Sequence, residues 1–431
     1  MLITVFIVSM LAGIIIGLPI AIALLLCGVS TALYMGGGDA NPTIIARTIM
    51  QGIDSVTMMA LPFFILAGEI MNRGGLTKRI IAFCNIFVGR VRGGLGYVTI
   101  LACLMFASLV GSAVAACAAL GAILIPLMAD SGYDRVKAAA LTASANLVAP
   151  IMPPSVPMII YGIAAGVSIR SLFLGGIAPA VYLTVVASVV WYFVSRKKGV
   201  VPDVSDMPRP TLKETVTICL GGMWALFLPI FILVGLRSGF FTATEAGVIA
   251  CVYGLIVGMV VYRELKLRDL FKAFIHSAKM SAVVMFLAAT ANCAAYFMTV
   301  SRIPQMMTSG LEGLVENPTL LMVVLMFIVA VVGLAMDVVP SILILTPIML
   351  PLVKAAGIDP VYFGIVFVLM NVLGLTSPPV GPVLNVACAT GKVKMDEIIL
   401  PTMPYFIAQV ILCFLLAIFP ALIEVPLRWL L

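Results

Sequence analysis

The segment from Asn146 to Pro157, Asn-Leu-Val-Ala-Pro-Ile-Met-Pro-Pro-Ser-Val-Pro, most constrains what this chain can fold into. It lies within long apolar sequence, yet its four prolines prevent an uninterrupted α-helix, because each lacks a backbone N–H and clashes with the preceding turn. In a bilayer, backbone that leaves the helix must be buried in protein or line a polar cavity. Such a break points to the binding site of a secondary transporter.

The same break occurs a second time, at Asn371 to Pro382, and reads Asn-Val-Leu-Gly-Leu-Thr-Ser-Pro-Pro-Val-Gly-Pro. Asn371 lies 225 positions after Asn146, and two unrelated proline kinks would not keep this register outside the motif. The sequence therefore predicts two structural repeats, each with a broken helix near the membrane midplane. The same spacing relates five further pairs: Pro126 and Pro351, Gly132 and Gly357, Asp134 and Asp359, Gly166 and Gly391, Pro179 and Pro404.

The composition identifies the environment of the chain. Hydrophobic residues make up 63% and charged residues 10%, whereas a soluble domain carries about 25% charged residues. We therefore expect an all-α polytopic membrane protein, with room for roughly a dozen crossings of about 20 residues. Residues 2–33 are expected to form one spanning helix. No phosphate-binding loop for ATP occurs, and the nine cysteines form no C-x-x-C pair, so they are expected to be buried and free.

The repeats divide the chain into three parts. Residues 1–195 are predicted to form the first repeat, with scaffold helices, a hairpin and a broken helix. Residues 196–213 are polar and proline-containing, and we expect them to be a cytoplasmic linker. Residues 214–431 are predicted to form the second repeat, with the same parts.

Basic residues predict how the two repeats are inserted. The segment 263–279 holds five Lys and Arg residues, whereas the equivalent segment 38–54 holds only Arg47. Residues 196–198 are all basic, and their equivalents at 421–423 are uncharged. Because basic clusters mark cytoplasmic helix ends, this opposite bias predicts inverted topology.

Two re-entrant helical hairpins are predicted directly before the breaks. Ser108, Gly111 and Ser112 are the expected tip of the first; the alternative is close helix packing through small residues. The second is placed by Asp337, which lies 225 positions after Ser112 within apolar sequence. An intramembrane charge is functional by default, and the alternative is that Asp337 caps the following helix.

Two more charged residues lie in or beside apolar runs. Glu69 is expected to pair with Arg73, four residues on along the same helix face. Arg302 follows a long apolar run and is a predicted contact of an anionic substrate; the alternative is that it reaches out to solvent at a helix end.

Each broken helix offers binding groups of both signs. Freed carbonyls and neutral side-chain oxygens suit a small cation such as Na⁺, and helix N-termini suit an anion. We predict one Na⁺ site per half, where the hairpin tip meets the break. The predicted ligands are Ser108, Gly111, Ser112, Asn146, Pro150 and Ser155 in the first half, and Met336, Asp337, Asn371, Thr376 and Ser377 in the second. The anionic substrate is expected between them, at Pro154, Ser155, Arg302 and Pro379, and downhill Na⁺ would drive its uptake because it binds well only once the cations are in place.

Motifs spread over essentially the whole chain carry a family resemblance. They are Leu61-Pro-Phe-Phe-Ile-Leu-Ala-Gly-Glu-Ile-Met-Asn-Arg-Gly-Gly-Leu76, Phe106-Ala-Ser-Leu-Val-Gly-Ser112, Gly121-Ala-Ile-Leu-Ile-Pro126 with Gly132-Tyr-Asp134, Pro153-Pro-Ser155 and Ser377-Pro-Pro-Val-Gly381. With them the chain resembles the large membrane subunit of the tripartite ATP-independent periplasmic (TRAP) transporters.

This resemblance implies an elevator-type secondary transporter of the bacterial inner membrane, not an enzyme. It implies Na⁺ coupling, an organic acid substrate, a small four-helix membrane subunit and a soluble periplasmic substrate-binding protein. Ala116 departs from members similar to sialate transporters, some of which carry an acid in this part of the first hairpin. This departure argues against a sialate-like substrate and leaves the first cation site with neutral ligands.

Other functions stay open at this point. A self-sufficient Na⁺/anion symporter would have the same inverted hairpins, and uptake by this chain alone would establish it. An ion channel usually builds its selectivity filter from identical segments of a symmetric oligomer. The two breaks of this chain are not identical and lie in one chain, so a channel is disfavoured. An intramembrane enzyme is disfavoured because the one histidine, His276, lies in the basic segment away from both breaks, which leaves no visible nucleophile–base pair.

Overall fold

A computed structural model describes residues 2–36, 41–197, 199–201, 212–303, 306, 312–377 and 381–431, and over these residues the chain is helical without strands. The all-helical prediction is confirmed. The helices of the first half are α1 (Leu2–Ile15), α2 (Ile20–Met35), α3 (Pro42–Gln51), α4 (Ala60–Arg73), α5 (Leu76–Val88), α6 (Gly94–Val110), α7 (Ala113–Asp130), α8 (Arg135–Ala145), α9 (Val156–Ala165) and α10 (Ile169–Ser195), with 3₁₀ turns at Val56–Met59 and Asn146–Val148.

The described part of the second half continues in the same manner. Its elements are α11 (Leu212–Ser238), α12 (Ala243–Ile256), a π-helical turn (Val257–Val261), α13 (Leu267–Val300), α14 (Glu312–Val315), α15 (Pro318–Ala335), α16 (Val338–Ala355), α17 (Pro360–Leu373), a 3₁₀ turn (Gly374–Thr376), α18 (Pro382–Gly391), α19 (Met395–Ile418) and α20 (Ala421–Leu430).

Among the described residues, seven helices are long and apolar enough to cross a membrane. An eighth crossing is possible if α3 and the segment Val56–Arg73, which are bent by 54° against each other, form one span. Other apolar helices have only 10–17 residues, less than the roughly 20 that an upright crossing needs. They include the arms of both broken helices, α9 and α18.

The prediction of a single spanning helix over residues 2–33 is wrong. The chain turns at Gly17, whose φ of +83° lies in the left-handed region, and α2 begins directly after Pro19. The two helices then lie side by side, so that the Cys27 thiol donates to the Phe6 carbonyl over 3.3 Å. The reason is local, because a left-handed glycine ends a helix and a proline cannot continue one.

The spacing of 225 residues extends to where helices begin and end. Helix α7 begins at Ala113 and α16 at Val338, and they end at Asp130 and Ala355. Helices α8 and α17, which lead into the two breaks, begin at Arg135 and Pro360. The inverted insertion of the halves and the domain bounds at 195 and 214 stay predictions.

The two halves are interlocked around the breaks. Helix α7 of the first hairpin packs against α18, which follows the second break, and α16 of the second hairpin packs against α9. The Tyr161 hydroxyl on α9 donates to the Pro360 carbonyl over 2.8 Å. Its ring lies against Gly364 so closely that an added Cβ there would lie 1.9 Å from a ring carbon. Both breaks therefore belong to one cluster of helices, the break cluster, which includes α7, α9, α16 and α18.

A second cluster contains α1, α2, α4, α12 and α13. Its contact with the break cluster includes α13 against α16, along a narrow apolar crevice lined by Leu24, Ala294 and Leu343. Within this cluster the Arg73 Nε lies 2.6 Å from Glu69 Oε1, so the predicted pair is confirmed. The other carboxylate oxygen of Glu69 lies 3.7 Å from His276 Nδ1.

Candidate ion and substrate site

The first break keeps its backbone open by means of its prolines and one serine. Helix α8 and its 3₁₀ turn end at Val148, and α9 begins at Val156. Ser155 caps α9, because its Oγ accepts a hydrogen bond from the Met158 N–H over 3.2 Å. The same hydroxyl donates to the Pro150 carbonyl. Ser155 is fully buried, and its hydroxyl forms one hydrogen bond to each side of the break.

The first hairpin has its tip at Gly111 and Ser112. Gly111 has a φ of +64°, and Ser112 caps α7 by accepting from the Ala115 N–H over 3.4 Å. The two arms run antiparallel, since Thr99 on α6 donates to the sulfur of Met128 on α7 over 3.4 Å. These residues confirm the predicted turn in the helix at this point.

This first tip touches the first break. An added Cβ at Gly111 would lie 3.0 Å from the Pro154 carbonyl oxygen and 3.5 Å from the Ser155 Cα. A side chain at Gly111 would also require the left-handed backbone that favours glycine. The first half therefore joins its tip and its break through a position that strongly favours glycine.

At the second junction the glycines lie at other positions. In both halves the arm before the tip packs against the 3₁₀ turn of the break, and here an added Cβ at Gly333, one turn before the tip, would lie 3.1 Å from the Asn371 carbonyl oxygen. An added Cβ at Gly374 would lie 2.0 Å from the Gly333 carbonyl oxygen. At the tip itself, Met336 is extended and Asp337 precedes α16. Pro379, a predicted substrate contact, lies outside the described residues.

Both breaks contain a fully buried asparagine with an unpartnered oxygen. The Asn146 Nδ2 donates to the Thr142 carbonyl over 2.7 Å, but its Oδ1 has no hydrogen-bond partner among the described residues. In Asn371 neither Oδ1 nor Nδ2 has one. A buried amide without partners costs about 1–3 kcal/mol, and a bound cation would remove this cost for the oxygen.

The predicted hydroxyl ligands supply further neutral oxygens. Ser108 donates to the Met105 carbonyl over 2.7 Å, Thr376 to the Leu373 carbonyl over 3.2 Å, and Ser377 to the Gly374 carbonyl over 2.7 Å. All three side chains are buried. Because the proton of each hydroxyl is used, its lone pairs remain available for a hard cation that prefers oxygen.

The two predicted charged contacts are exposed. Asp337 caps α16, since its Oδ1 accepts from the Val338 N–H over 2.8 Å, so the capping alternative describes what this side chain does here. Arg302 follows α13 with a φ of +56°, and its side chain makes no hydrogen bond or ion pair within the described part of the chain. The contacts of the described residues do not bring Arg302 to either break.

Three contributors to the site were not predicted. Gly333 and Gly374 bring the second tip and break together, and Gln409 on α19 donates to the Ser144 carbonyl over 3.1 Å, two residues before Asn146. The sequence does carry a signal for the glycines, because an isolated glycine inside a helical pattern often has a packing reason. It carries none for Gln409, whose partner is 265 residues away.

Comparison with known proteins gives consistent results. The family described as the DctM component of the tripartite ATP-independent periplasmic transporter matches residues 7–422. A Haemophilus influenzae protein described as a TRAP transporter large permease is 45% identical over 429 residues, covering all of both chains. The 2,3-diketo-L-gulonate TRAP transporter large permease protein of Escherichia coli is 43% identical over 429 residues, again over both full lengths.

The architecture also has a solved counterpart. The crystal structure of the YdaH transporter of Alcanivorax borkumensis superposes with a TM-score of 0.69 and covers 95% of this chain and 98% of its own. At 13% sequence identity this likeness shows a shared fold.

Proposed function

Because the chain belongs to the family of DctM components, the large permeases of TRAP transporters, we propose that it carries out Na⁺-coupled uptake of an organic acid by an elevator mechanism. It is a multi-pass inner-membrane protein and a transporter subunit, not an enzyme. The proposal concerns the coupling ion, the movement, the substrate class and the partners.

One observation carries the proposal of Na⁺ coupling. Asn146 and Asn371 occupy equivalent positions in the two breaks, are fully buried, and each present an oxygen without a hydrogen-bond partner among the described residues. The same hairpins and breaks contain the buried hydroxyls of Ser108, Ser155, Thr376 and Ser377, and neutral oxygens of this kind are ligands that suit Na⁺. Each bound cation would add a positive charge beside the broken backbone and so offset the charge of an anionic substrate.

The packing of the two helix clusters supports movement of one against the other. The break cluster meets the second cluster at α13 and α16 through apolar side chains such as Ala294 and Leu343. Among the described residues no hydrogen bond joins α13 to α16, so none has to break when these two helices slide. We therefore propose that the break cluster carries ions and substrate across the bilayer while the second cluster stays in place.

The substrate and the partners are proposed from the family. The E. coli relative is named for 2,3-diketo-L-gulonate, which makes a carboxylate of this size the first substrate to test. A small membrane subunit and a periplasmic binding protein that delivers the acid are proposed to complete the transporter. Uptake in proteoliposomes by this chain alone would instead support the self-sufficient symporter, and single-channel currents without substrate would support a channel.

A thermal-shift measurement on the purified chain tests the ion sites without a substrate. A ligand that binds only the folded state stabilises it by about 2.7 kcal/mol at 100 times its Kd. We expect a higher Tm in NaCl than in KCl of equal ionic strength, and a reduced difference in Asn146→Leu and Asn371→Leu.

The control for these variants is Gln51→Leu, which removes an exposed amide at the end of α3. It should keep the full Na⁺-dependent shift. Equal Tm values of the unchanged chain in both salts, or a full shift in both asparagine variants, would refute the proposed sites.

A further inference from the structure

A cleft of about 540 Å³ lies apart from both breaks. It is open to solvent and is lined by the turn between α9 and α10, the loop between α11 and α12, and the 3₁₀ turn at Val56–Met59. Its polar lining consists of Thr57, Ser168, Arg170, Thr242, Thr244 and Glu245. It is large enough for a small organic molecule.

The location of this cleft follows from the helices that form it. It lies where α10 begins and where α11 ends. The opposite ends of these two spanning helices flank the linker 196–213, which the basic residues place in the cytoplasm. On this predicted orientation the cleft faces the periplasm, the side from which a substrate would arrive.

Arg170 supplies a cation that is only partly engaged. Its Nη2 donates to the Arg237 carbonyl over 2.5 Å, and this is the one side-chain hydrogen bond of Arg170 among the described residues. Arg170 lines the cleft, so its remaining Nη N–H groups can donate to a ligand with negative charge.

The carboxylate in the lining does not neutralise Arg170 by pairing with it. The Glu245 Oε2 accepts from the Thr242 N–H over 2.7 Å and from the Thr242 hydroxyl over 3.0 Å. It thereby caps the N-terminus of α12, whose positive end it offsets. The N-terminus of α10, which is 27 residues long, also lies at the cleft with Ser168 as its cap, and it adds a positive end beside Arg170.

We propose that this cleft binds the anionic group of a small organic acid, with Arg170 as its charged contact and the hydroxyls around it as further donors. The inference rests on the proposed uptake of organic acids, because it assigns a first site on the periplasmic side for the same substrate class. The acid would then pass from here to the breaks.

Charge-selective labelling tests the cleft directly. Thr57 is exposed, lines the cleft and makes no side-chain hydrogen bond among the described residues, so Thr57→Cys introduces a thiol with little disturbance. Right-side-out vesicles are treated with a sulfonate-bearing or a trimethylammonium-bearing methanethiosulfonate, and each rate is divided by that of the same reagent with 2-mercaptoethanol. The chain without the added cysteine gives the background of its natural cysteines.

We expect the sulfonate reagent to react about tenfold faster than the cationic reagent, because Arg170 and the N-terminus of α10 attract an anion, while Glu245 is held at the N-terminus of α12. Adding Arg170→Gln should bring the ratio close to one. Arg237→Gln is the matched control: it removes an equal charge next to the cleft, but its guanidinium donates to the Trp429 carbonyl over 3.2 Å and is not part of the lining. This variant should keep most of the preference.

No preference for the anionic reagent, a preference unaffected by Arg170→Gln, or a thiol that reacts only from the cytoplasmic side would overturn the inference. The labelling needs neither Na⁺ nor transport. If the labelling test fails but the Na⁺-dependent thermal shift is present, only the proposed anion binding in the cleft is refuted. If the labelling succeeds but the thermal shift is absent, the proposed Na⁺ coupling is refuted and the proposed anion binding in the cleft stands.

Discussion

The two junctions of hairpin and broken helix have their close glycine contacts at different positions: Gly111 at the tip in the first, and Gly333, one turn before the tip, in the second. The first contact falls on the residues just before α9, at Pro154 and Ser155. The second falls on the residues around Asn371, at the end of α17. The positions equivalent to Gly111 and Gly333 are Met336 and Ser108, so each junction has its glycine where the other has a side chain.

The junctions also differ in charge. The tip residue that precedes the second arm is Ser112 in the first hairpin and Asp337 in the second, and both cap that arm. On the proposed function, the first site binds its cation with neutral oxygens alone and the second adds a carboxylate. The two sites can therefore differ in affinity for Na⁺, although their backbones correspond.

The largest effect is expected from Gly374→Ala, which would break the second junction. The new Cβ would lie 2.0 Å from the Gly333 carbonyl oxygen, so backbone must move. We expect a loss of about 3 kcal/mol in stability together with loss of Na⁺-dependent uptake. The equivalent residue of the first junction, Ala149, already carries a Cβ, which makes the effect specific to the second.

Gly313→Ala is the control for this change, because an added Cβ at Gly313 would meet no described residue within 4 Å. Thermal unfolding of both variants is the measurement. An unchanged Tm of Gly374→Ala would show that the close contact at the second junction is not needed.

A smaller effect is expected from Asp337→Asn, which makes the second tip as neutral as the first. Asparagine caps a helix as well as aspartate does, so α16 should stay intact while the cation loses a negative charge nearby. We expect the Na⁺ concentration for half-maximal uptake to rise about tenfold, as for 1.4 kcal/mol of lost attraction. Na⁺-dependent uptake in proteoliposomes measures it.

Asp359→Asn is matched to this change, since Asp359 also caps a helix, with its Oδ1 accepting from the Val361 N–H over 2.8 Å. It should leave the Na⁺ dependence unchanged. If Asp337→Asn behaves like this control, Asp337 is a helix cap and no more.

The smallest effect is expected from Ser112→Val at the first tip. The change removes one neutral oxygen and a cap worth about 1 kcal/mol, so we expect the half-maximal Na⁺ concentration to rise about fivefold. Ser112→Thr keeps the hydroxyl and should behave like the unchanged chain in the same uptake assay. Unchanged transport by Ser112→Val would favour close packing of small residues as the role of this tip.

The features that the sequence predicted correctly have local causes. Prolines interrupt the helix after Asn146, Gly111 and Ser112 turn the first hairpin, and Glu69 reaches Arg73 across one helical turn. Each of these sequence features acts on residues at most a few positions away, so the spacing along the chain determines the local conformation or contact.

The features that sequence reasoning missed depend on distant parts of the chain or on weak turn signals. Gly333 and Gly374 are small because a backbone passes close by, and a single sequence does not show which backbone that is. The fold-back at Gly17 was overlooked because the apolar residues continue on both sides of it. Arg302 was assigned to the substrate from its rarity in apolar sequence, and its position relative to the breaks depends on how α13 packs.

Helix α7 packs on α18 and α16 packs on α9. Each half therefore buries part of its apolar surface only against the other half. Cleavage of the chain in the linker would yield two fragments, and the apolar surface that each exposes would be buried only by the other fragment. Produced separately, such fragments should aggregate or be degraded; produced together, they should reassemble. We therefore expect the two halves to fold only together, rather than as two self-contained units.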